Sequence, residues 1–231
     1  MKELSTSPTK KLPELVRSVR TTEYLFLSAL VQDMSALLAP SRAIRTTLNL
    51  ISIALFTATN STSPSPSGEG ISCFIRRAHP GDAEGIIDSH SRSIQENCKD
   101  DYTTEEIRAW SGHKRKPESW RQSIERDLIW VVEKANVIEG FSQLAFMSET
   151  SAEILGLYLS KKVTGLGIGK ALFQLMKREA ENQNIMKIDL LATLTAKNFY
   201  LHMGCYEVIG MHSITIGGAS IPCVPMMYKF S

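Results

Sequence analysis

No two of the four cysteines, Cys73, Cys98, Cys205 and Cys223, stand close enough to form a C-x-x-C unit. That absence excludes a zinc ribbon or a thioredoxin-like redox motif, and four cysteines are few for a disulfide scaffold. A reducing, cytoplasmic location is expected. None of His79, His113, His202 and His212 has a histidine or glutamate partner at the spacing a metalloprotease needs, so no metal site is expected. The nucleophile elbow G-x-S-x-G is also missing, because GFSQL around Ser142 lacks its second glycine. A net charge of +2 and a pI near 8.3 argue against nucleic acid as a partner. The apolar run LNLISIALFTAT falls short of the roughly 20 residues a spanning helix requires. Stable membrane insertion is not expected.

With 43% hydrophobic and 22% charged residues, the chain is of ordinary globular type and long enough for one or at most two domains. Its composition breaks once. Residues 46–68 contain no charge, and NSTSPSPSGEG has the Ser/Pro/Gly bias of a flexible linker. A boundary is therefore expected near residue 70, between an extension with little fixed structure (1–70) and a folded unit (71–231). Within the extension a helix could follow Pro13. Arg42 and Arg45 before the apolar run leave open a signal peptide starting at Met34 or residues upstream of the natural start.

From Ile71 onward, strand and helix patterns alternate. SCFIRRA reads as a first strand. A helix follows with Asp82 as N-cap and Ile86, Ile87, His90 and Ile94 on one face. Thr103 and Glu106 form a capping box for a second helix that presents Ile107 and Trp110, and Pro117 opens a third. Two strands joined at residues 134–136 come next, then AEILGLYLS, a glycine loop with its helix, the strand KIDLLA and a short helix around KNFYLHM. Two last strands are expected around EVIGMHSITI and VPMMYKF. The implied class is α/β (α+β), a central sheet with helices on its faces.

The loop VTGLGIGKAL sets Gly165, Gly167 and Gly169 at alternate positions and runs into an amphipathic helix. Glycine admits positive φ and close approach, and a helix start offers unpaired N–H groups, so an anion is the natural guest. The spacing is not a dinucleotide fingerprint, since Lys170 and Leu172 stand where its last glycine would fall. It is not a phosphate loop of the G-x-x-x-x-G-K-[ST] kind either, since Thr164 and Ala171 occupy two required positions.

Together, the loop TGLGIGKAL and the later segment TAKNFYLHMGCYEV resemble the GNAT acetyltransferase superfamily, over about residues 71–231. Gly167 and Gly169 match the small positions of its Q/R-x-x-G-x-G/A loop, while Thr164 departs from the usual Gln or Arg. Ala196, Phe199, Tyr200 and Gly204 fall on its A-x-x-F-Y-x-x-x-G pattern. The segment YTTEEIRAW resembles, more loosely, a bacterial branch, and Tyr102, Trp110 and Trp120 lie in the region that lines the acceptor side.

The resemblance implies a mixed central sheet with helices on both faces, a splayed strand pair, and acetyl-CoA as co-substrate. Coenzyme A contacts fall on Leu157, Tyr158 and Leu159 of the strand and on Thr164, Gly165, Leu166, Gly167, Ile168, Gly169 and Lys170 of the loop. Lys161 and Lys162 add charge. A backbone N–H near Leu159, where the family has a bulge, would polarise the thioester carbonyl. Tyr200 would protonate the departing thiolate, which a phenol of pKa about 10 can do. Glu153 and Glu139 are candidates for the base, a water chain being the other route. The implied activity is acetyl transfer to a primary amine of a small molecule or peptide. A catalytically silent acyl-CoA-binding module is the alternative, and a homodimer is among the open oligomeric states.

Overall fold

The computed structural model describes residues 73–230, so the readings made for residues 1–72 lie outside the described residues. Eight strands form one sheet: β1 (Cys73–Arg77), β2 (Leu128–Lys134), β3 (Val137–Phe146), β4 (Ser151–Leu159), β5 (Lys187–Thr193), β6 (Tyr206–Glu207), β7 (His212–Ile216) and β8 (Ala219–Lys229). Their spatial order is β1-β2-β3-β4-β5-β8-β6, with β7 also paired to β8. Five helices cover it: α1 (Ala83–Asn97), α2 (Thr104–Gly112), α3 (Pro117–Arg126), α4 (Ile168–Asn182) and α5 (Lys197–His202). None of the described helices is long and apolar enough to cross a membrane.

The central strands are apolar on both faces because both faces are covered. In β2, Trp130 and Val132 join the core beneath α4, where Leu172, Phe173 and Met176 are buried. Their neighbours Ile129 and Val131 point the other way, against Ile86 and Ile87 of α1 and Trp120 of α3. A third cluster joins Ile94, Tyr102 and Trp110 to Ile221 of β8. The mixed sheet with helices on both faces is thus realised.

Local signals place most boundaries. Thr103 Oγ1 accepts from the Glu106 N–H at 3.2 Å and the Thr103 N–H donates to Glu106 Oε2 at 2.7 Å, so the α2 capping box forms as expected. Ala135 and Asn136, with φ of 52° and 61°, make the two-residue β2–β3 turn. Asp82 does stand at the cap position of α1, but its carboxylate accepts instead from the His79 N–H (2.8 Å) and from Arg76 (2.7 and 2.8 Å), pinning a short 3-10 turn (Pro80–Asp82) to β1.

The C-terminal region differs from expectation. EVIGMHSITI is not one strand but two, β6 and β7, both paired to the same edge of β8. A Gly217–Gly218 turn at positive φ closes the β7–β8 hairpin. β8 holds two prolines despite lying inside the sheet. In a strand the N and C=O of one residue point to the same side, and Pro222 O accepts from Tyr102 Oη just past the end of β5 (2.8 Å). Pro225 O accepts from Val208 N in the interval between β6 and β7 (3.0 Å). Each missing N–H therefore falls where no ladder bond is required.

Candidate active site

β4 and β5 are the one parallel pair in the described sheet. Their ladder runs from Ser151↔Lys187 to Ile154↔Leu190 and stops, although β4 continues to Leu159 and β5 to Thr193. The cause is visible on the other edge of β4, where the register with β3 passes from Leu144↔Ile154 to Gln143↔Gly156 and leaves Leu155 as the extra residue of a bulge. The expected bulge is present, but at Leu155 rather than near Leu159. Beyond it the β5-facing backbone groups of β4 are freed, and the two strands diverge around a cleft of about 400 Å³.

The glycine loop closes one end of this cleft. Gly165 and Gly167 have φ of 79° and 78°, and a Cβ built on either meets no atom within 4 Å. Their glycine character is thus required by the backbone and by whatever approaches it, not by crowding. The N–H groups of residues 165–170 donate to no described backbone carbonyl, and the first helical bond of α4 is Ala171 N–H to Gly167 O at 3.0 Å. Six consecutive unengaged donors stand at the positive end of α4, and four of their residues, Gly165, Gly167, Gly169 and Lys170, line the cleft, which suits a pyrophosphate. Thr164, which stands where the family has Gln or Arg, turns its hydroxyl onto Ser160 O (2.8 Å) and shapes the loop from within.

Of the sequence-derived cofactor positions, Leu157, Tyr158, Leu159, Thr164, Gly165, Gly167, Gly169 and Lys170 line the cleft, and Leu166 and Ile168 do not. Residues without a sequence motif line it too, among them Ser93 and Asn97 of α1. Both donate to Leu159 O, at 2.9 and 2.7 Å, and so tie α1 to the end of β4. The signal for them was present as a spacing of four, Ser89, Ser93 and Asn97, along one stripe of the helix.

Tyr200 also lines the cleft and is buried, its ring set between Phe199 (5.1 Å) and Phe173 (6.2 Å). Its hydroxyl has no hydrogen-bond partner among the described side chains. Burial, reinforced by Tyr158 and Cys205, raises its pKa well above the ordinary phenol value. The phenol is therefore protonated at neutral pH. Tyr158, likewise raised by burial, is its neighbour on the β4 side.

The two carboxylates considered as bases are placed differently from each other. Glu139 is almost fully buried and accepts from Ser160 Oγ (2.7 Å) and Lys162 Nζ (2.8 Å), with Arg92 at 3.3 Å. Burial alone would raise its pKa, but these hydrogen bonds and charges bring it below the ordinary value. It is an anchor for the start of the loop, and it takes up Lys162. Glu153 pairs across the closed part of the strands with Asp189 and is not among the residues lining the cleft; burial and Asp189 raise its pKa.

Behind β4 lies a second cavity of about 250 Å³, whose lining includes His90, Arg115, Trp120 and Phe141. Tyr158 and Leu155 line both spaces, so the bulge is the partition between them. Phe141 stacks on Tyr158 at 5.4 Å, and His90 meets the Tyr158 ring edge-on at 4.4 Å. Burial, then Arg115 and His113, push the His90 pKa down to about 4, so its imidazole is neutral at neutral pH. Trp120, buried in the core with Phe141, also lines this cavity. Tyr102 does not: its hydroxyl accepts from Leu194 N–H and donates to Pro222 O (both 2.8 Å), and Trp110 is buried beside it.

A family model described as an acetyltransferase (GNAT) domain matches residues 98–230. Among solved structures, the chain is similar to the GCN5-related N-acetyltransferase of Rhodopseudomonas palustris, with 18% identity and a TM-score of 0.61 over 71% of this chain and 100% of that one. It is also similar to the PaiA N-acetyltransferase of Thermoplasma acidophilum in complex with coenzyme A, with 23% identity and a TM-score of 0.54 over 69% and 100% of the two chains. The ribosomal-protein-alanine N-acetyltransferase of Brucella melitensis gives 17% identity and a TM-score of 0.52 over 68% and 99%. At these identities the likeness is one of fold. No curated protein matches.

Proposed function

The chain belongs to the GNAT acetyltransferase family and is an acyltransferase, and from that premise we propose that it moves an acetyl group from acetyl-CoA to a primary amine by direct attack. The observation that carries this reading is the junction of two features in one cleft. One is a run of free N–H groups at a helix start; the other is a strand pair that parts just beyond a bulge. The first suits a pyrophosphate and the second an extended thioester arm. Coenzyme A supplies the acetyl thioester when bound, and the residues of the chain fit it, because a Cβ at Gly165 or Gly167 would project into the open cradle.

Around that thioester, a β4 backbone N–H close to the Leu155 bulge would polarise the carbonyl, which moves this role upstream of Leu159. The walls of Leu157, Leu159 and Phe199 keep water from the arm. Tyr200, among the residues lining the cleft, would hold a proton at Oη for the departing thiolate. Glu139 is too deeply committed to cations to act as base, and Glu153 lies off the cleft, so the ammonium proton leaves through water. The test is release of free thiol from acetyl-CoA with a panel of amines, run beside calorimetric binding of acetyl-CoA alone. Amine-dependent thiol release supports transfer, whereas tight binding with no release across the panel would mark a silent acyl-CoA module.

A further inference from the structure

Resting on the acetyl-transfer reading, the cavity behind Tyr158 and Leu155 is the space from which an amine can meet the thioester, because those two side chains are its partition from the cleft. Its chemistry is one-sided. His113, Lys114 and Arg115 line it, and among the described residues no aspartate or glutamate does. The nearest carboxylate partners are already engaged: Asp127 accepts from Arg126 (2.8 and 3.0 Å) and from Gln143 Nε2 (2.6 Å), and Asp88 lies 3.7 Å from Lys114. The Arg115 guanidinium lies 4.4 Å over the Trp120 ring and donates to Ser123 Oγ (3.0 Å) and Ser119 O (3.3 Å), with no ion-pair partner among the described residues.

An incoming ammonium would find no counter-ion there. The surrounding cations favour its neutral form, which is the nucleophile, but they give it no affinity. Affinity must come from other parts of the acceptor. The apolar wall offers flat aromatic contact, with Trp120 edge-on to Phe141 at 5.2 Å and Phe141 stacked on Tyr158. The unpaired guanidinium offers a planar fork for a carboxylate.

We propose that the acceptor is a small primary amine carrying a carboxylate and an aromatic or similarly flat apolar group. Arg115 takes the carboxylate, and Trp120, Phe141 and Tyr158 take the ring. In the transfer, the amine nitrogen bonds to the acetyl carbon and the C–S bond breaks. The neutral amine's nitrogen loses one proton to water, the sulfur gains one from Tyr200, and the Tyr200 phenolate is reprotonated from that water, so the protons balance.

Three amines that share a ring separate the alternatives: phenylalanine, phenethylamine without the carboxylate, and phenylalaninamide as the mimic of a peptide N-terminus. Thiol release from acetyl-CoA gives kcat/KM for each, and calorimetry with coenzyme A present compares N-acetylphenylalanine with N-acetylphenethylamine. Phenylalanine should exceed both other amines by about tenfold or more, since one charge-assisted contact is at stake. N-acetylphenylalanine should bind tighter by a similar factor. In Arg115→Gln both preferences should collapse while thermal unfolding and coenzyme A affinity hold, and Arg115→Lys should keep part of them. Equal or better use of phenethylamine or phenylalaninamide, or failure of N-acetylphenylalanine to bind at millimolar concentration, overturns the proposal and leaves acetyl transfer standing. Selective, Arg115-dependent binding of N-acetylphenylalanine without turnover of any amine sustains the pocket chemistry and sinks the transfer reading instead.

Discussion

Replacement of Gly167 separates backbone cost from ligand approach. The residue sits at φ 78° and ψ −3°, and an added Cβ meets nothing within 4 Å. An L-residue therefore pays only for its left-handed conformation, about 1–2 kcal/mol in general and less for asparagine. For a domain of this size that is a fall in Tm of roughly 2–4 °C per kcal/mol. Gly218, at φ 85° with equally open surroundings in the β7–β8 turn, is the matched control. Gly167→Asn and Gly218→Asn should thus lose similar stability in thermal unfolding. Coenzyme A affinity should part them. A Cβ at residue 167 would hold the pyrophosphate off the N–H groups of residues 165–170, and losing even two charge-assisted hydrogen bonds amounts to about 3 kcal/mol or more, over a hundredfold in Kd. Calorimetry with coenzyme A reads this directly. A folded Gly167→Asn protein that binds within about threefold of wild type would refute the argument and reduce the loop to a turn.

Tyr200→Phe keeps the ring between Phe173 and Phe199, so Tm should change little, while kcat should fall on the order of 10² to 10⁴ with coenzyme A affinity retained; turnover within a few-fold of wild type, with chemistry rate-limiting, would return the tyrosine to the core. His90 has a folded pKa pushed from 6.5 to about 4, so its contribution to stability is fully present above pH 6.5 and is lost as pH falls toward 4. His90→Phe should flatten the stability profile across that window by roughly 1–3 kcal/mol, and denaturant midpoints at pH 7, 5.5 and 4.5 that fall in parallel with wild type would contradict this. Glu139→Gln removes the charge that Lys162 and Arg92 face, at a cost of about 1–3 kcal/mol, and should weaken coenzyme A binding because Ser160 opens the loop; an unchanged Tm with unchanged Kd would show that the cluster anchors nothing.

How far the chain could be read depended on whether the determinant was local. The capping box of Thr103 and Glu106, the Pro117 start of α3 and the glycine loop before α4 are encoded within a few residues, and each forms as written. So was the place of Tyr200, because a motif of nine residues spans both its helix and the glycine that ends it. The split of EVIGMHSITI into β6 and β7 was not legible, since it depends on where Pro225 leaves its empty N–H side on a strand many residues later. Glu153 looked available on a half-apolar strand, but it lies in the closed part of the β4–β5 ladder opposite Asp189 and does not line the cleft, whereas its neighbour Ile154 does.

Local spacing by itself determined the helix starts, the tight turns and the free amides of the loop, because each needs only the dihedral preferences and hydrogen-bonding groups of adjacent residues. Tertiary structure alone decided the bulge at Leu155 that parts β4 from β5, the capture of Glu139 by two cations, and the cavity in which an unpaired Arg115 meets an aromatic wall. These arise from register and packing between segments distant in sequence. A shift of one residue in pairing reverses which face a side chain occupies, and no short stretch of chain carries that choice.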